Sequence, residues 1–325
     1  MKKILTILGI LSILGGVNKV EAQLIPQFSQ YMFNGLYINP AYAGYKDVFY
    51  GHVMYRKQWV GMESSPTTAL VGIDGALKGG SNVGLVYAND KVGAATTNSI
   101  MFNYAFRFNV SEGGRLSFGL GAGMIHHGIN RSKLIIEPDG TISPLAQNAK
   151  AIWKPSFDAG VYFDTKHFYA GFSLVGLLKG KRDTDNLFQV LRTNPNYFLT
   201  VGGMLPLNNS LKLMPSTLLS SDFENPLNID LNLLLMIADR FAIGGSYRTG
   251  AMLFSDAENS LTDKLKLRDA VALIAEVYLS DRIRLGFAYD FDLNKLTTGH
   301  NGSFEVSLGY YLTKSKSKHV TPRYF

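Results

Sequence analysis

The sequence of 325 residues contains no cysteine. The chain therefore has no disulfide framework, no thiol chemistry and no cysteine that could carry a lipid anchor. Beyond its first residues it also lacks an apolar run near the ~18–20 residues that a transmembrane helix needs. Amphipathic helical patterns are scarce as well. These absences argue against a helical membrane protein and against an ordinary soluble enzyme of this length.

The first 22 residues have the pattern of a secretory signal peptide. Two lysines precede an apolar run over residues 4–14, and Val20-Glu21-Ala22 forms a small-residue cleavage site. The run is too short to cross a membrane, which takes ~20 residues. We therefore expect residues 1–22 to be removed and the mature protein to be exported.

The formal net charge of +7 raises the question of a nucleic-acid partner. The basic residues are scattered along the chain, however, and an exported protein rarely meets genomic DNA. No nucleic-acid partner is predicted. Residues 313–325 form a short basic tail, for which a solvated state and contact with anionic outer-membrane lipid both remain open.

Alternation with a period of two residues recurs along the chain. In residues 283–290, for example, large apolar side chains occupy one face, and charged or small residues occupy the other. This pattern is typical of a strand with two different faces. Fourteen such segments are predicted: 47–57, 67–77, 82–89, 97–109, 115–126, 155–164, 167–176, 197–205, 210–219, 228–237, 240–249, 267–279, 282–291 and 302–312. Most are about ten residues long, the length of a tilted strand that crosses a bilayer.

The links between these segments are sorted by length. Links after even-numbered strands are tight, and most links after odd-numbered strands are longer, with three of them over 127–154, 177–196 and 250–266. Single-chain outer-membrane barrels have an even strand number, short periplasmic turns and long surface loops. We therefore predict an all-β fold, a transmembrane antiparallel β-barrel of about 14 strands over residues 47–312. The long loops would be extracellular and both termini periplasmic. The alternative, a soluble sandwich or jelly roll, gives no reason for this sorting.

The segment QFSQYMFNGLYINPAYAGYKD, residues 27–47, lies between the signal and the first strand. It is rich in aromatic residues, and Pro40 prevents one continuous helix. Two interpretations of an N-terminal unit over 23–46 remain open: a plug inside the barrel, or a periplasmic docking strip for a partner.

Charged residues at positions predicted to face the lumen nearly balance in sign, which favours structural ion pairs over a charge-selective pore. These residues are Arg56, Asp74, Arg107, Asp158, Lys212, Asp230, Arg248, Glu276, Arg284, Asp290 and Glu305. His126 and His127 are adjacent on a strand and would face opposite sides, so no metal site is predicted there. No catalytic constellation and no cofactor motif is found.

Two stretches near the start of the mature chain carry a specific resemblance. QFSQYMFN at 27–34 and NPAYAG at 39–44 closely resemble the mature N-terminus of the PorP/SprF family, outer-membrane proteins associated with the type IX secretion system of Bacteroidetes-type bacteria. RKQW at 56–59 and PRYF at 322–325 also match, and the resemblance spans nearly the whole mature chain. Gly35, where many relatives carry proline, is a departure.

The resemblance implies a fourteen-stranded barrel that works beside the secretion machinery and has no established catalytic residues. It implies support for the export or surface attachment of a large secreted protein, including gliding adhesins, together with contacts to other type IX components. The candidate partner-binding residues combine the signature positions with basic residues of two long loops, whose charge favours an acidic partner surface. They are Asn39, Pro40, Arg56, Gln58, Trp59, Arg131, Lys133, Lys181 and Arg182.

A second class remains open. Asn39-Pro40-Ala41 also resembles the hatch of FadL-like fourteen-stranded transporters, which pass small hydrophobic molecules through the barrel wall. Such a transporter should have a contiguous apolar pocket and a strand kink that opens laterally. An anchoring protein should have a closed lumen.

Overall fold

The computed structural model describes residues 26–130, 151–178, 194–223, 226–251, 270–293 and 301–312. Within these ranges, fourteen antiparallel strands form one sheet in which sequential strands are neighbours. The strands are β1 (Tyr50–Lys57), β2 (Thr67–Ala76), β3 (Ser81–Val92), β4 (Ala95–Ser111), β5 (Gly114–Ile129), β6 (Ile152–Asp164), β7 (Phe168–Val175), β8 (Asn196–Gly203, continued by Leu205–Pro206), β9 (Leu211–Ser221), β10 (Leu227–Ile237), β11 (Phe241–Ala251), β12 (Ala270–Tyr278), β13 (Ile283–Asp292) and β14 (Ser303–Tyr311).

The sheet closes on itself because β1 pairs with both β2 and β14. The β1–β14 register runs from Tyr50 opposite Tyr311 to Lys57 opposite Phe304. Closure leaves no edge strand, so the backbone N–H and C=O groups of the sheet can all be paired between strands. The predicted all-β barrel is confirmed.

The links are sorted as predicted. Every even-numbered strand that is followed by another strand ends in a link of two to four residues. Odd-numbered strands are followed by longer links, except that Gly93 and Ala94 alone join β3 to β4. We call the side of the short links the turn end and the opposite side the loop end. β1 runs from the turn end to the loop end.

The polarity of the two faces of the wall is the reverse of that in a soluble protein. Outward positions carry large, exposed apolar side chains, and inward positions carry small, polar or charged ones. Lipid is the solvent for the outer face, so exposed apolar groups are stable there. Examples on the outer face are Val53, Val71, Leu85, Phe102, Leu120, Phe157, Phe172, Leu199, Leu233, Ile243, Leu273, Phe287 and Val306.

One interruption of the wall has a local cause in the sequence. The two parts of β8 pair with β9 in the same register, Gly202 opposite Ser216 and Leu205 opposite Leu213. Pro215 lies in β9 within this interval, and proline has no N–H to donate to the ladder. The pairing of β8 with β7 continues through the gap, because the N–H of Met204 donates to the carbonyl of His167 at 2.8 Å, one position beyond the Phe168–Gly203 pair. β8 is therefore one strand with a missing rung.

The chain before β1 lies inside the barrel. Nearly all residues from Phe28 to Lys46 are buried, and they form three short 3₁₀ turns, Tyr31–Phe33, Gly35–Tyr37 and Pro40–Tyr42. The last turn begins with Pro40 at its first position, where the missing N–H costs nothing. No helix within the described ranges is long and apolar enough to cross a membrane.

Candidate functional site: the occupied lumen

The segment over residues 26–48, called the luminal segment below, runs through the lumen from one end to the other. Pro26 and Gln27 lie beside Asn196 and Ser220, which are at the loop ends of β8 and β9. At the other end, the N–H of Gly44 donates to Oδ2 of Asp74 at 2.8 Å, near the turn end of β2. Pro26, the first described residue, therefore lies at the loop end, whereas an N-terminus on the turn side was expected.

A network of charges holds the first part of the luminal segment. The N–H groups of Ser29 and Gln30 donate to the two carboxylate oxygens of Glu305, at 2.6 and 3.0 Å. The Ser29 hydroxyl donates to Asp290 at 2.7 Å. Arg56 forms ion pairs with both carboxylates. We call this set, with Arg248 and Asp230, the loop-side anchor.

The loop-side anchor is buried throughout. Arg248 pairs with Asp230 at 2.5 Å, and its Nη2 donates to the Ser29 hydroxyl at 3.3 Å. The side chains of Arg56 and Glu305 are 3% and 0% exposed. Such charges are stable away from water only when each is paired and hydrogen-bonded, so loss of one partner leaves the others uncompensated.

A second network, the turn-side anchor, holds the other end of the luminal segment. Arg107 and Arg115 each contact Oδ1 of Asp47 at 2.7 Å. Arg115 also pairs with Asp164 at 2.7 Å, and Nη2 of Arg107 donates to the carbonyl of Ala43 at 3.2 Å. The Asp47 side chain is 39% exposed, so this anchor is partly solvated.

Between the anchors, inward-facing glycines make room for the segment. A Cβ on Gly119 would lie 2.2 Å from the backbone nitrogen of Ala41, and one on Gly160 would lie 2.1 Å from Oδ1 of Asn39. Asn39 itself donates from Nδ2 to the carbonyl of Val161 at 3.1 Å. Gly119 of β5 and Gly160 of β6 therefore form a cradle for the luminal segment, and a side chain at either position would occupy the same space as the segment.

The buried Lys46 closes the segment at the turn end. Its ammonium lies over the ring of Tyr50 at 4.7 Å and over that of Tyr311 at 6.0 Å, a cation–π arrangement. Burial, with a smaller contribution from the nearby Arg284 cation, lowers the pKa of Lys46 below its usual range.

Two small cavities lie between the segment and the wall. The first, at the loop end, offers about 480 Å³ counting its open mouth, and its lining includes Phe28, Asn34 and Phe198. The second, of about 270 Å³ on the same count, is lined partly by four tyrosines, at 31, 42, 162 and 169. Tyr31 and Ile38 line both cavities and lie between them.

The predicted lumen-facing charges are found where the alternation placed them. All eleven face the interior, where Arg56, Arg107, Lys212, Arg248 and Arg284 form ion pairs with carboxylates. The remaining two, Asp74 and Asp158, accept hydrogen bonds from the backbone N–H groups of Gly44 and Gly176, at 2.8 and 2.9 Å. Nine of the eleven charges are therefore in ion pairs, in line with the predicted structural pairing.

The structure separates the predicted partner-binding residues. Asn39, Pro40 and Arg56 are buried and make contacts within the barrel. Gln58 and Trp59 lie in the β1–β2 link at the loop end, where the Trp59 N–H donates to the Ser303 hydroxyl at 3.2 Å. The remaining four, Arg131, Lys133, Lys181 and Arg182, lie outside the described residues. Partner binding by these nine residues stays a prediction.

Sequence reasoning missed two groups that shape the lumen. The cradle glycines were recognised only as strand residues, although a glycine at an inward position of a strand signals close backbone approach. Ser29 and Gln30 lie in the stretch that resembles the family, but the sequence did not indicate their structural role, because that role depends on Glu305, far away in the chain. In the described part of the chain, no group of three or more His, Cys, Asp or Glu residues could hold a metal ion.

A closed sheet with an apolar outer face, whose lumen is occupied by the chain's own N-terminal part, defines an outer-membrane β-barrel. The chain belongs to the family described as type IX secretion system membrane protein PorP/SprF, whose model matches residues 20–310. No match is found among curated proteins.

Solved structures resemble the chain at low identity. They include the Acinetobacter baumannii outer membrane protein Omp33, with 8% identity, a TM-score of 0.45 and coverage of 81% of this chain and 97% of that one. A Pseudomonas aeruginosa FadL homologue has 12% identity and a TM-score of 0.47, with coverage of 90% of this chain and 96% of that one. At these values the likenesses carry no argument about function.

Proposed function

We propose that this barrel is a non-enzymatic component of the type IX secretion system that supports the secretion or surface attachment of a large secreted protein. Family membership implies involvement with that system. The proposal adds that the loop end is extracellular and that the partner is received there, beside other components of the machinery.

The observation that carries the proposal is the occupied lumen. Residues from Phe28 to Lys46 are almost entirely buried inside the barrel and are held by an anchor at each end. We infer that the luminal segment is a plug and that the barrel works through its surface. Loops on a rigid barrel are the usual place for binding specificity. The basic loop residues Arg131, Lys133, Lys181 and Arg182 would favour an acidic partner surface.

Deleting the gene tests the proposal. We expect the surface proteome to lose one or a few large secreted proteins while general outer-membrane permeability stays unchanged. The control is the same strain carrying the intact gene on a plasmid, which should restore the missing proteins. An unchanged surface proteome would contradict the proposal.

The orientation of the barrel in the membrane has a separate test. Because the sequence has no cysteine, a single introduced cysteine is the only thiol that can be labelled. We expect Glu63→Cys, in the β1–β2 link, to react with a membrane-impermeant maleimide on intact cells. Asn208→Cys, in the short link after β8, should react only after the outer membrane is permeabilised. Equal labelling of the two variants on intact cells would refute the assigned orientation.

A FadL-like transporter of small hydrophobic molecules is the second candidate. The two cavities with aromatic linings are the observation in its favour. Tyr31 and Ile38 separate the cavities, so transport requires the luminal segment to move. Reduced uptake of a hydrophobic nutrient in the deletion strain, with an unchanged surface proteome, would favour this candidate.

A further inference from the structure

The seam between β1 and β14 is where the barrel wall joins strands that are not consecutive in the chain. Among the described strands, every other neighbouring pair is consecutive and is therefore connected by a link. The type and length of a short link fix the register of the two strands that it connects. The seam has no link, so its register depends on contacts of its side chains.

The lipid-facing side of the seam does not distinguish the observed register from one shifted by two residues. Such a shift keeps every side chain on its own face of the sheet, because the side-chain period is two. On the outer face, Val53 lies opposite Leu308, and Tyr55 lies opposite Val306. A shift would only exchange one apolar neighbour for another, so the register must be selected on the lumen side.

Near the loop end, the luminal segment contacts both strands of the seam. Glu305 of β14 lies directly opposite Arg56 of β1. The Glu305 carboxylate accepts from the N–H groups of Ser29 and Gln30, at 2.6 and 3.0 Å, and Arg56 donates to the Ser29 hydroxyl at 3.4 Å. The Ser307 hydroxyl, two residues further along β14, donates to Oε1 of Gln30 at 2.8 Å. The segment therefore holds two lumen-facing side chains of β14 beside Arg56.

Near the turn end, the segment contacts a second pair of residues that face each other across the seam. Tyr50 of β1 lies directly opposite Tyr311 of β14. The ammonium of Lys46 lies over both rings, at 4.7 and 6.0 Å from their centroids. Only three residues separate Lys46 from Tyr50, so the start of β1 keeps the cation close to the seam. Tyr311 therefore packs against a group that β1 positions.

We propose that the luminal segment sets the register in which the barrel closes. A shift of two residues moves β14 by about 7 Å along β1. This displacement would take Glu305 away from the two N–H groups and Tyr311 away from Lys46 at the same time. The ion pair of Arg56 with Glu305 is less selective by itself, because a long side chain still reaches a diagonal neighbour.

The register at the seam has a consequence for the whole barrel, because it sets the stagger of the closed sheet. The luminal segment is therefore a template for closure in addition to filling the lumen. This role is independent of the proposed function, since it concerns only how the chain reaches its folded state.

Cysteine pairs on the lipid-facing side report the register, because the chain has no cysteine of its own. Val53→Cys with Leu308→Cys reports the observed register. Val53→Cys with Val306→Cys, or with Tyr310→Cys, reports a shift of two residues in one direction or the other. The full chain is refolded from urea into detergent under mild oxidation. Gel migration of the denatured, non-reduced chain then gives the yield of each disulfide.

The test variant combines Gln30→Pro with Lys46→Met. It removes one N–H donor to Glu305, the acceptor for Ser307 and the cation over the two tyrosines. We expect the yield of the shifted disulfides, relative to the disulfide of the observed register, to rise about tenfold. Gln30→Leu replaces Gln30→Pro if proline prevents assembly, which heat-dependent gel migration reports.

The matched control is Tyr31→Phe, which changes the same segment away from the seam. It removes hydrogen bonds to Ser216 of β9 and Asn232 of β10, at 3.4 and 2.7 Å, and adds no bulk. We expect it to leave the three disulfide yields as in the wild type. The proposal is overturned if the test variant keeps the wild-type yields or if Tyr31→Phe changes them equally. Shifted disulfides that form in the wild type as readily as the observed one overturn it too.

Discussion

The two anchors of the luminal segment use the same kinds of residue in different surroundings. In the loop-side anchor, Arg56 and Glu305 are 3% and 0% exposed, and two backbone N–H groups of the segment donate to Glu305. In the turn-side anchor, Asp47 is 39% exposed and accepts from two arginines. When an exposed charge loses its ion-pair partner, water can solvate it in the partner's place. A buried charge has no water to solvate it, so the loss costs more. We infer that the loop-side anchor holds the segment more tightly.

The largest effect is expected from removing the stretch of chain that the two anchors hold in place. Deleting residues 27–46 takes away nearly all that fills the lumen while leaving the strands intact. We expect single-molecule conductance in planar bilayers to rise from a low baseline to stable open-channel currents. Heat-dependent gel migration is the control for assembly. An assembled variant with wild-type conductance would show that the luminal segment does not close the passage.

Breaking the loop-side anchor alone should have the next largest effect. Arg56→Met leaves Glu305 and Asp290 buried without their main partner, at a cost of about 3–5 kcal/mol. We expect amide hydrogen exchange in residues 27–34 to accelerate ~100-fold or more, because local opening becomes easier.

Arg56→Lys is the matched control, since it keeps the charge and should accelerate exchange less. If Arg56→Met accelerated exchange no more than a change in the turn-side anchor does, the difference between the anchors would be refuted.

A change between the anchors should have an intermediate effect. The added methyl of Gly119→Ala would lie 2.2 Å from the backbone nitrogen of Ala41, so the backbone must shift. Overpacking of this kind costs about 1–3 kcal/mol. We expect faster hydrogen exchange in residues 38–43. The control is Gly51→Ala, whose methyl would meet nothing nearer than 3.9 Å. Equal exchange rates in the two variants would argue against the cradle.

The smallest effect is expected at the turn-side anchor. Asp47→Asn removes the charge but suits the backbone, because Asp47 has a φ of 60° and asparagine tolerates this region. A partly exposed ion pair contributes about 0–1 kcal/mol, so exchange in residues 43–48 should accelerate ~5-fold or less. Screening by ~0.5 M salt should reduce the difference from wild type further. A change as large as that in Arg56→Met would contradict the solvated character of this anchor.

Much of the barrel wall could be predicted from the sequence, because the faces of a strand and the lengths of the links depend on residues that are close together in the chain. The alternation around residues 283–290 places Arg284 and Asp290 inside and Phe287 outside, and the structure agrees. Link lengths predicted the two ends of the barrel. The break in β8 was not predicted. Its cause, Pro215, lies in β9, so the break can be expected only once the pairing of β8 with β9 is known.

The lumen could be predicted only in part. Balanced inward charges indicated ion pairs, but the sequence did not reveal that Glu305 binds the backbone of Ser29, more than 270 residues away. Nor did it show that Gly119 faces Ala41. Each of these facts depends on two parts of the chain that meet only after the barrel has closed.

The sequence by itself determined the barrel: a period of two residues sets the two faces of each strand, and short links force sequential strands to pair. Only the tertiary structure decided where the luminal segment lies and which charges hold it. Closure of the sheet creates one enclosed space, and a charge or a glycine buried in that space affects stability far more than the same residue in water.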